Sequence, residues 1–419
     1  MNHNKNVVIF GGGTVSHVTP HLAISAPAYG STARKLQDLV KERFGDTVNI
    51  DLILSRMASS VGETFETNED LDVAVKHVIN DIATKVVFFS TAVCDWDVGT
   101  IVQDGKSVET GKYGQRLESR SSGTSMSLKP SEKIVSQIRK TRKDIFLVAF
   151  KTTAGATKQE MYEKGLRLCK EASANLVLVN DVKTRWNMIV TPEEAAYSET
   201  DDRNEVLKEL VDMAYYRSHL TFTRSTVIDG KPVSWNDERV PESLRQAVNF
   251  CIKHDAYKPF GDSTVGHFAH KLSDTEFLTS IRKSNFNKLN EVGLVYVRTD
   301  GPDTVIAYGS KPSVGGQSQR IIFNDHKGMD CVLHFHSPLR KNNPDKIPVV
   351  SQREVECGSH QCGKNTSDNL KQFGNLKAVM LHQHGPNIVF NKNINPQEVV
   401  DFVERNFDLT QKTGGYNLK

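Results

Sequence analysis

At 419 residues the chain is about twice the length of a typical domain, so two domains are expected. Its 38% hydrophobic and 25% charged residues suit soluble, globular cores. The 53 Lys and Arg nearly cancel the 50 Asp and Glu, to a formal charge of +3, and the two signs alternate along the chain, which excludes a general nucleic-acid or membrane-binding surface.

Residues 7–10 are a short apolar run ending in Gly11-Gly12-Gly13, read as a first strand and its turn. Residues 33–44 then place Leu36, Leu39, Val40 and Phe44 at helical spacing. A strand at 50–54, a helical stretch to about Ala83 and an apolar run at 86–89 follow. Beyond a polar excursion rich in Gly and Ser (99–124), Ser131 is positioned to cap a helix with Ile134, Val135 and Ile138 on one face. A strand at 146–150, a helix over 158–171, a strand at 176–179 and a helix from Asn204 to Ser218 complete the series. Five strands separated by helices predict an α/β fold, a doubly wound Rossmann-like parallel sheet over residues 1–217. Turn residues (Asp229-Gly230, Pro232, Asn236-Asp237) with few core positions assign 218–239 to a linker. The second domain, 240–419, has its strongest strands at 295–297, 331–336 and 378–382, and ends in a helix opened by Asn395-Pro396 with Glu398 at its third position. No apolar run approaches the roughly 20 residues that span a bilayer, and residues 7–10 are too short for the apolar region of a signal peptide. Six scattered cysteines fit free thiols in a reducing compartment, so the expected location is cytoplasmic.

A glycine-rich turn straight after a first strand is where α/β sheets bind phosphate, because backbone N–H groups can approach an anion where no Cβ intervenes. Gly11-Gly12-Gly13-Thr14 is such a turn; it also reads as a tight strand-to-loop connection. Three further strand ends, at 90–96, 149–153 and 179–181, are likewise small or polar, unlike a purely structural sheet edge. With these motifs, residues 5–217 resemble the phosphopantothenoylcysteine synthetase family, also described as DNA/pantothenate metabolism flavoproteins. The family's G-G-T turn is matched by Gly12-Gly13-Thr14, and its Ile-Ser-Asn and Ser-Gly segments by Ile24-Ser25-Ala26 and Tyr29-Gly30-Ser31. Its A-A-V-A-D-Y/W strand end is matched by Thr91-Ala92-Val93-Cys94-Asp95-Trp96, and its V-A-N-D end by Leu178-Val179-Asn180-Asp181. The resemblance implies a ligase that activates a carboxylate with CTP or ATP and couples it to cysteine. The nucleotide is then expected around Gly11, Gly12, Gly13, Thr14, Ser25, Gly30, Ala92, Asp95, Asn180 and Asp181, with Asn180 contacting the acyl intermediate. Ala26 replaces the family's asparagine, and Thr200-Asp201-Asp202-Arg203 replaces its lysine-bearing loop. These departures favour nucleotide-type anion binding over the pantothenate substrate.

In the second domain, His334-Phe335-His336 closes a strand-like run. Residues i and i+2 of a strand face the same side, so both imidazoles can grip one ion. A third histidine after another apolar strand, in His382-Gln383-His384-Gly385, would complete a facial set with positions open for substrate. This half resembles the class II aldolase/adducin family over about residues 245–407, which implies an α/β/α fold. The family's H-x-H-S-P is matched by His334-Phe335-His336-Ser337-Pro338, and its N-H-G by Gln383-His384-Gly385. The resemblance therefore names His334, His336 and His384 as ligands of a divalent metal, zinc first. Its phosphate-gripping turns fall on Thr264 and Gly266, on Thr279 and Ser280, and on Ser313. The glutamate of its P-S-x-E segment is replaced by Gly315, so either Glu354 or Glu356 supplies the proton-transferring carboxylate or the reaction differs. Cys357, His360 and Cys362 read first as a loop on which His360 contacts substrate, with a second zinc site as the alternative.

Taken whole, the chain reads as a bifunctional enzyme: a nucleotide-dependent ligase-like domain fused to a metal-dependent aldolase-like lyase acting on a phosphorylated or sugar-like small molecule. The other reading is a catalytically decayed scaffold of the two folds. Both resemblances imply self-association, a homo-oligomer as dimer or tetramer.

Overall fold

The computed structural model describes residues 5–62, 64–313 and 316–418, with side chains from 318 after the second gap. The chain divides into two compact units: residues up to 192 with 198–218, and residues 193–197 with 219–419. No helix among the described residues is long and apolar enough to cross a membrane.

The first unit is built on β1 (Lys5–Gly11), β2 (Val48–Ser55), β3 (Thr64–Phe65), β4 (Thr84–Phe89), β5 (Phe146–Thr153), β6 (Leu176–Asp181), β7 (Asn187–Val190) and β8 (Ala196–Thr200), in the sheet order β8-β7-β6-β5-β4-β1-β2-β3. From β3 to β6 every neighbouring pair is parallel, and only β7 runs antiparallel to β6. The parallel strands thus lie in the order 3-2-1-4-5-6, with the reversal between β1 and β4, the arrangement of doubly wound dinucleotide-binding sheets. Their sequences explain the burial. Val7, Val8, Ile9 and Phe10 in β1 and Leu176–Val179 in β6 are apolar without alternation, as strands covered on both faces must be. The cover comes from α1 (Ser31–Phe44), α2 (Asn68–Asn80), α3 (Val135–Thr141), α4 (Lys158–Ala172) and α5 (Arg203–Arg217). Helix α1 packs with α5, and α3 with α2 and α4. Reciprocal capping boxes, Thr67 with Asp70 and Thr157 with Glu160, start α2 and α4.

Two local expectations are corrected. Ser131 is not the cap of α3: its N–H donates to Asp95 O, and the helix starts after Ile134. The polar excursion after β4 carries a three-stranded antiparallel sheet (Trp96–Gln103, Lys106–Val108, Thr124–Pro130), whose last strand is exposed throughout and so leaves no apolar pattern to read.

The second unit centres on a sheet of β9 (Arg224–Ile228), β10 (His267–Lys271), β11 (Glu276–Ser280), β12 (Leu294–Thr299), β13 (Thr304–Tyr308), β14 (Cys331–His334), β15 (Val349–Val350), β16 (Lys371–Phe373), β17 (Leu376–Leu381) and β18 (Gly385–Phe390). Its order is β9-β13-β12-β11-β10-β14-β18-β17-β15, with β16 also on β17. All pairs are antiparallel except β9 with β13 and β15 with β17. One face packs on α6 (Glu242–Lys253) and α9 (Pro396–Asn406) through Leu244, Val248, Val399 and Phe402. The other face buries Val332, Val379 and Val389 with Ile322 and Phe323 of α7 (Gly316–Asp325), and Leu370 beyond α8 (His360–Asn369). This is the three-layer α/β/α arrangement expected. The stretch 218–239 is more than connection: it supplies β9, Val233 bridges to Leu294, and Trp235 is buried edge-on against Phe268.

Candidate metal centre

Strand β14 alternates faces, and that alternation sets the site. Cys331, Leu333 and Phe335 enter the core under α6 and α9, while Val332 joins the opposite core. His334 and His336 share the parity of Val332. The hairpin of β17 and β18 brings in His384. Gly385, at φ +148°, makes this possible, because a Cβ there would lie 2.0 Å from Phe335 O. The three imidazoles are buried and each meets the other two edge to face, with ring centres 4.6–5.1 Å apart. One nitrogen from each lies within 4.8 Å of the others, and among the described residues this is the one His/Cys/Asp/Glu group able to hold a metal ion.

Two of the three rings are held from behind by a hydrogen bond, and the third faces a carboxylate. His334 Nδ1–H donates to Pro386 O at 2.7 Å, a partner that can only accept, which fixes the tautomer and leaves Nε2 as a lone pair. His384 Nδ1–H donates to Gln352 Oε1 at 3.0 Å, while the Gln352 amide donates to Cys362 Sγ. His336 Nδ1 stands 3.2 Å from Glu194 Oε2, out of line for a hydrogen bond. His334 Nε2 is buried without a hydrogen-bond partner among the described residues. An orphaned buried acceptor is costly, and an ion bound by three neutral imidazoles removes that cost. The residues therefore fit a divalent metal. Burial, then the neighbouring imidazoles, pushes His334 and His384 well below the usual histidine range and His267 down to about 3. His334 and His384 are thus held in the neutral form that a metal requires.

Around the triad lie residues the sequence did not single out. His267 pairs in register with His334, stacks on it with ring centres 4.6 Å apart, and receives the Gln319 amide on Nδ1 at 2.8 Å. Lys412 Nζ donates to Glu194 O, and Thr413 Oγ1 donates to His384 O. The boundary at 217 places Glu194 in the first domain, whereas 193–197 belongs to the second compact unit. Its one signal in the sequence is the adjacent pair Glu193-Glu194 followed by Ala195-Ala196.

The expected substrate contacts divide. Thr264 and Thr279 have structural partners: Thr264 Oγ1 accepts from Phe286 N, and Thr279 Oγ1 donates to Phe268 O. Gly266, at φ +118°, permits close passage, since a Cβ would lie 2.7 Å from His334 O. Ser280 and Ser313 adjoin through Ser313 N–H to Ser280 O, and both hydroxyls are buried without a hydrogen-bond partner among the described residues. Glu354 is exposed and Glu356 buried, and the carboxylate of Glu194 stands beside the His336 ring. Gly315 lies outside the described residues. His360 pairs with Asp303 at 2.9 Å rather than joining Cys357 and Cys362 in a metal group.

In the first unit the glycine turn occupies the switch point between β1 and β4, but its amides serve the fold. Gly13 N–H donates to Ser55 Oγ and Thr14 N–H to Ala92 O, and a Cβ on Gly13 would lie 1.9 Å from Ala26 O. Gly11, Gly12 and Gly30 are buried in similarly tight packing. The turn is therefore a close-packed connection, and a phosphate cradle made from the amides of Gly13 and Thr14 is corrected. Asp181 is a loop organiser. Burial opposes its charge, but donors from Lys183, Thr184, Ala156 and Thr153 outweigh burial and hold its carboxyl well below the usual range. Asp95 pairs with Lys133 on the surface, and Ser25 is exposed in a hairpin strand. Asn180 is half-buried, with a 3.4 Å contact from Thr152 Oγ1.

No family model matches the chain. No curated protein is similar to it in sequence. Solved structures are. The DNA/pantothenate metabolism flavoprotein from Streptococcus pneumoniae is similar over 50% of this chain and 97% of its own, at 16% identity and a TM-score of 0.42. The C-terminal domain of the coenzyme A biosynthesis bifunctional protein CoaBC covers 50% of this chain and 94% of its own, at 14% identity and a TM-score of 0.36. An L-fuculose 1-phosphate aldolase covers 39% and 82%, at 14% identity and a TM-score of 0.29. These likenesses concern the fold. The chemistry rests on the residues above.

One consequence is a sign for the pH dependence of stability. His267, His334 and His384 have folded pKa values below the unfolded value of about 6.5, so the unfolded chain takes up more protons as pH falls. The contribution is fully present above about pH 6.5 and is lost below it, at up to about 1.4 kcal/mol per pH unit for each histidine. Chemical denaturation of the metal-free protein between about pH 7 and 5 should show this steepening, with a shallower slope in His267→Asn. Identical slopes in the two proteins would contradict the assignment of His267.

Proposed function

We propose that the second unit is a divalent-metal lyase of the aldolase type, with His334, His336 and His384 holding the ion through Nε2. The observation that carries this reading is the pair of hydrogen-bonded Nδ1 atoms of His334 and His384 beside the buried, partnerless Nε2 of His334, with the third imidazole converging on the same point. When bound, the ion supplies a Lewis acid for a substrate carbonyl or the oxyanion that replaces it. The chain's own residues do the rest. The Pro386 carbonyl and the Gln352 amide fix two imidazoles in the ligating tautomer. The buried Ser280 and Ser313 hydroxyls offer unspent donors to an anionic substrate group, which favours a phosphorylated or sugar-like small molecule. Zinc is the first candidate for three imidazoles with open positions, with manganese and iron as rivals. Purified protein should carry about one divalent ion per chain, and His334→Ala should reduce this to near zero while the far-ultraviolet circular dichroism is unchanged. Metal-free wild type that also fails to take up added zinc would refute the reading.

For the first unit we propose a nucleotide-dependent, carboxylate-ligase-like activity with CTP or ATP as cosubstrate. The support is the 3-2-1-4-5-6 strand order with small or polar residues at the carboxyl ends. Since Gly12 sits at φ +94° with its Cβ position 2.1 Å from Ser55 Oγ, substitution there would disturb the fold, whereas Asn180 can be changed cleanly. Millimolar CTP or ATP should raise the melting temperature of the wild type, and Asn180→Ala should cut that rise at least by half with little change without nucleotide. Equal shifts in the two proteins would remove Asn180 from the site.

A further inference from the structure

The structure assigns to Glu194 the orienting carboxylate of the metal centre, a role performed by a residue from the β7–β8 connection rather than from the strands that carry the histidines. The inference rests on the metal reading above and deepens it.

Three observations converge on this residue. Glu194 is 4% exposed, and its Oε2 lies 3.2 Å from His336 Nδ1. Its backbone is at φ +61°, a left-handed conformation that glycine or asparagine adopts far more readily than glutamate. The segment is also fastened beside the site. Ala196 N–H donates to the side chain of Gln383, the neighbour of His384, and Lys412 Nζ donates to Glu194 O. Burying a carboxylate on a strained backbone costs free energy twice over, and such residues cluster where the local geometry serves a site. The chemistry of the triad supplies the reason. Two of its three rings already donate Nδ1–H to a fixed acceptor, and His336 faces Glu194 instead. At 3.2 Å the Glu194 carboxylate is near enough to accept Nδ1–H once the two side chains turn into line, which keeps Nε2 as the ligating lone pair, raises its donor strength and holds the ring in one orientation. Glu194 is thus a positioning residue acting through His336, and it places the metal site partly under the control of a segment that the sequence order assigns to the other half of the chain.

The test uses the full-length protein, stripped of metal and reloaded with Zn(II) or Co(II). Affinity is measured by chelator competition and coordination by the visible absorption of Co(II). Glu194→Gln keeps the side-chain size and removes the charge. It should weaken metal binding about 10–100-fold and shift the Co(II) bands, while the melting temperature of the metal-free protein stays at the wild-type value. Glu194→Asp, which keeps the charge on a residue tolerant of left-handed backbone, should restore part of the affinity. Wild-type affinity in Glu194→Gln would overturn the inference. So would loss of a directly bound oxygen from the Co(II) sphere, since Glu194 would then be a ligand. If the wild type itself binds no metal, the lyase reading fails instead, so the two failures are distinct.

Discussion

Packing three imidazoles edge to face in a dry interior disfavours the charged forms of His334 and His384, through burial first and then through the neighbouring rings. Two of the three backs are anchored by hydrogen bonds, and one nitrogen of each ring converges on a common point. Pro386 O fixes His334 and Gln352 fixes His384, while Glu194 stands behind His336. Much of the second unit can be understood as what this arrangement requires. The alternation of β14 sends Phe335 into one core and the histidines the other way. Gly385 allows the β17–β18 turn to pass within contact of Phe335 and His336. The C-terminal residues Lys412 and Thr413 then close over the carbonyls of Glu194 and His384.

The first unit shows the opposite use of a familiar motif. A glycine run after β1 looks like an anion cradle, yet here each glycine answers a steric demand. Gly11 meets Ala33, Gly12 meets Ser55 and Gly13 meets Ala26 O. Hydrogen bonds from Gly13 and Thr14 lock the turn to β2 and to the residues after β4. Asp181 behaves in the same way, spending one oxygen on the loop that follows β6 and the other on Thr153 and Ala156 at the end of β5. Polar residues at strand ends can therefore build the rim of a site without touching its ligand.

What was legible in the sequence follows from the range of the forces involved. Strands β1, β2, β4, β5 and β6 are written as local apolar runs, so their positions and the α/β class could be read directly. The His-x-His pair and the histidine before Gly385 are local patterns too, and the structure brings them together. The partners behind the rings are not local. Gln352 lies 32 residues from His384, and Glu194 is separated from His336 by much of the chain. Neither has a spacing that marks it. The exposed sheet after β4 was missed for a different reason, because strands without a buried face carry no hydrophobic period.

The central claim is that one divalent ion is held by Nε2 of His334, His336 and His384. X-ray absorption at the edge of the bound metal addresses it directly. The account predicts a shell of nitrogen and oxygen at about 2.0–2.1 Å with the outer scattering of three imidazoles and no sulfur. A sulfur shell at about 2.3 Å would move the ion to the cysteines and contradict the account.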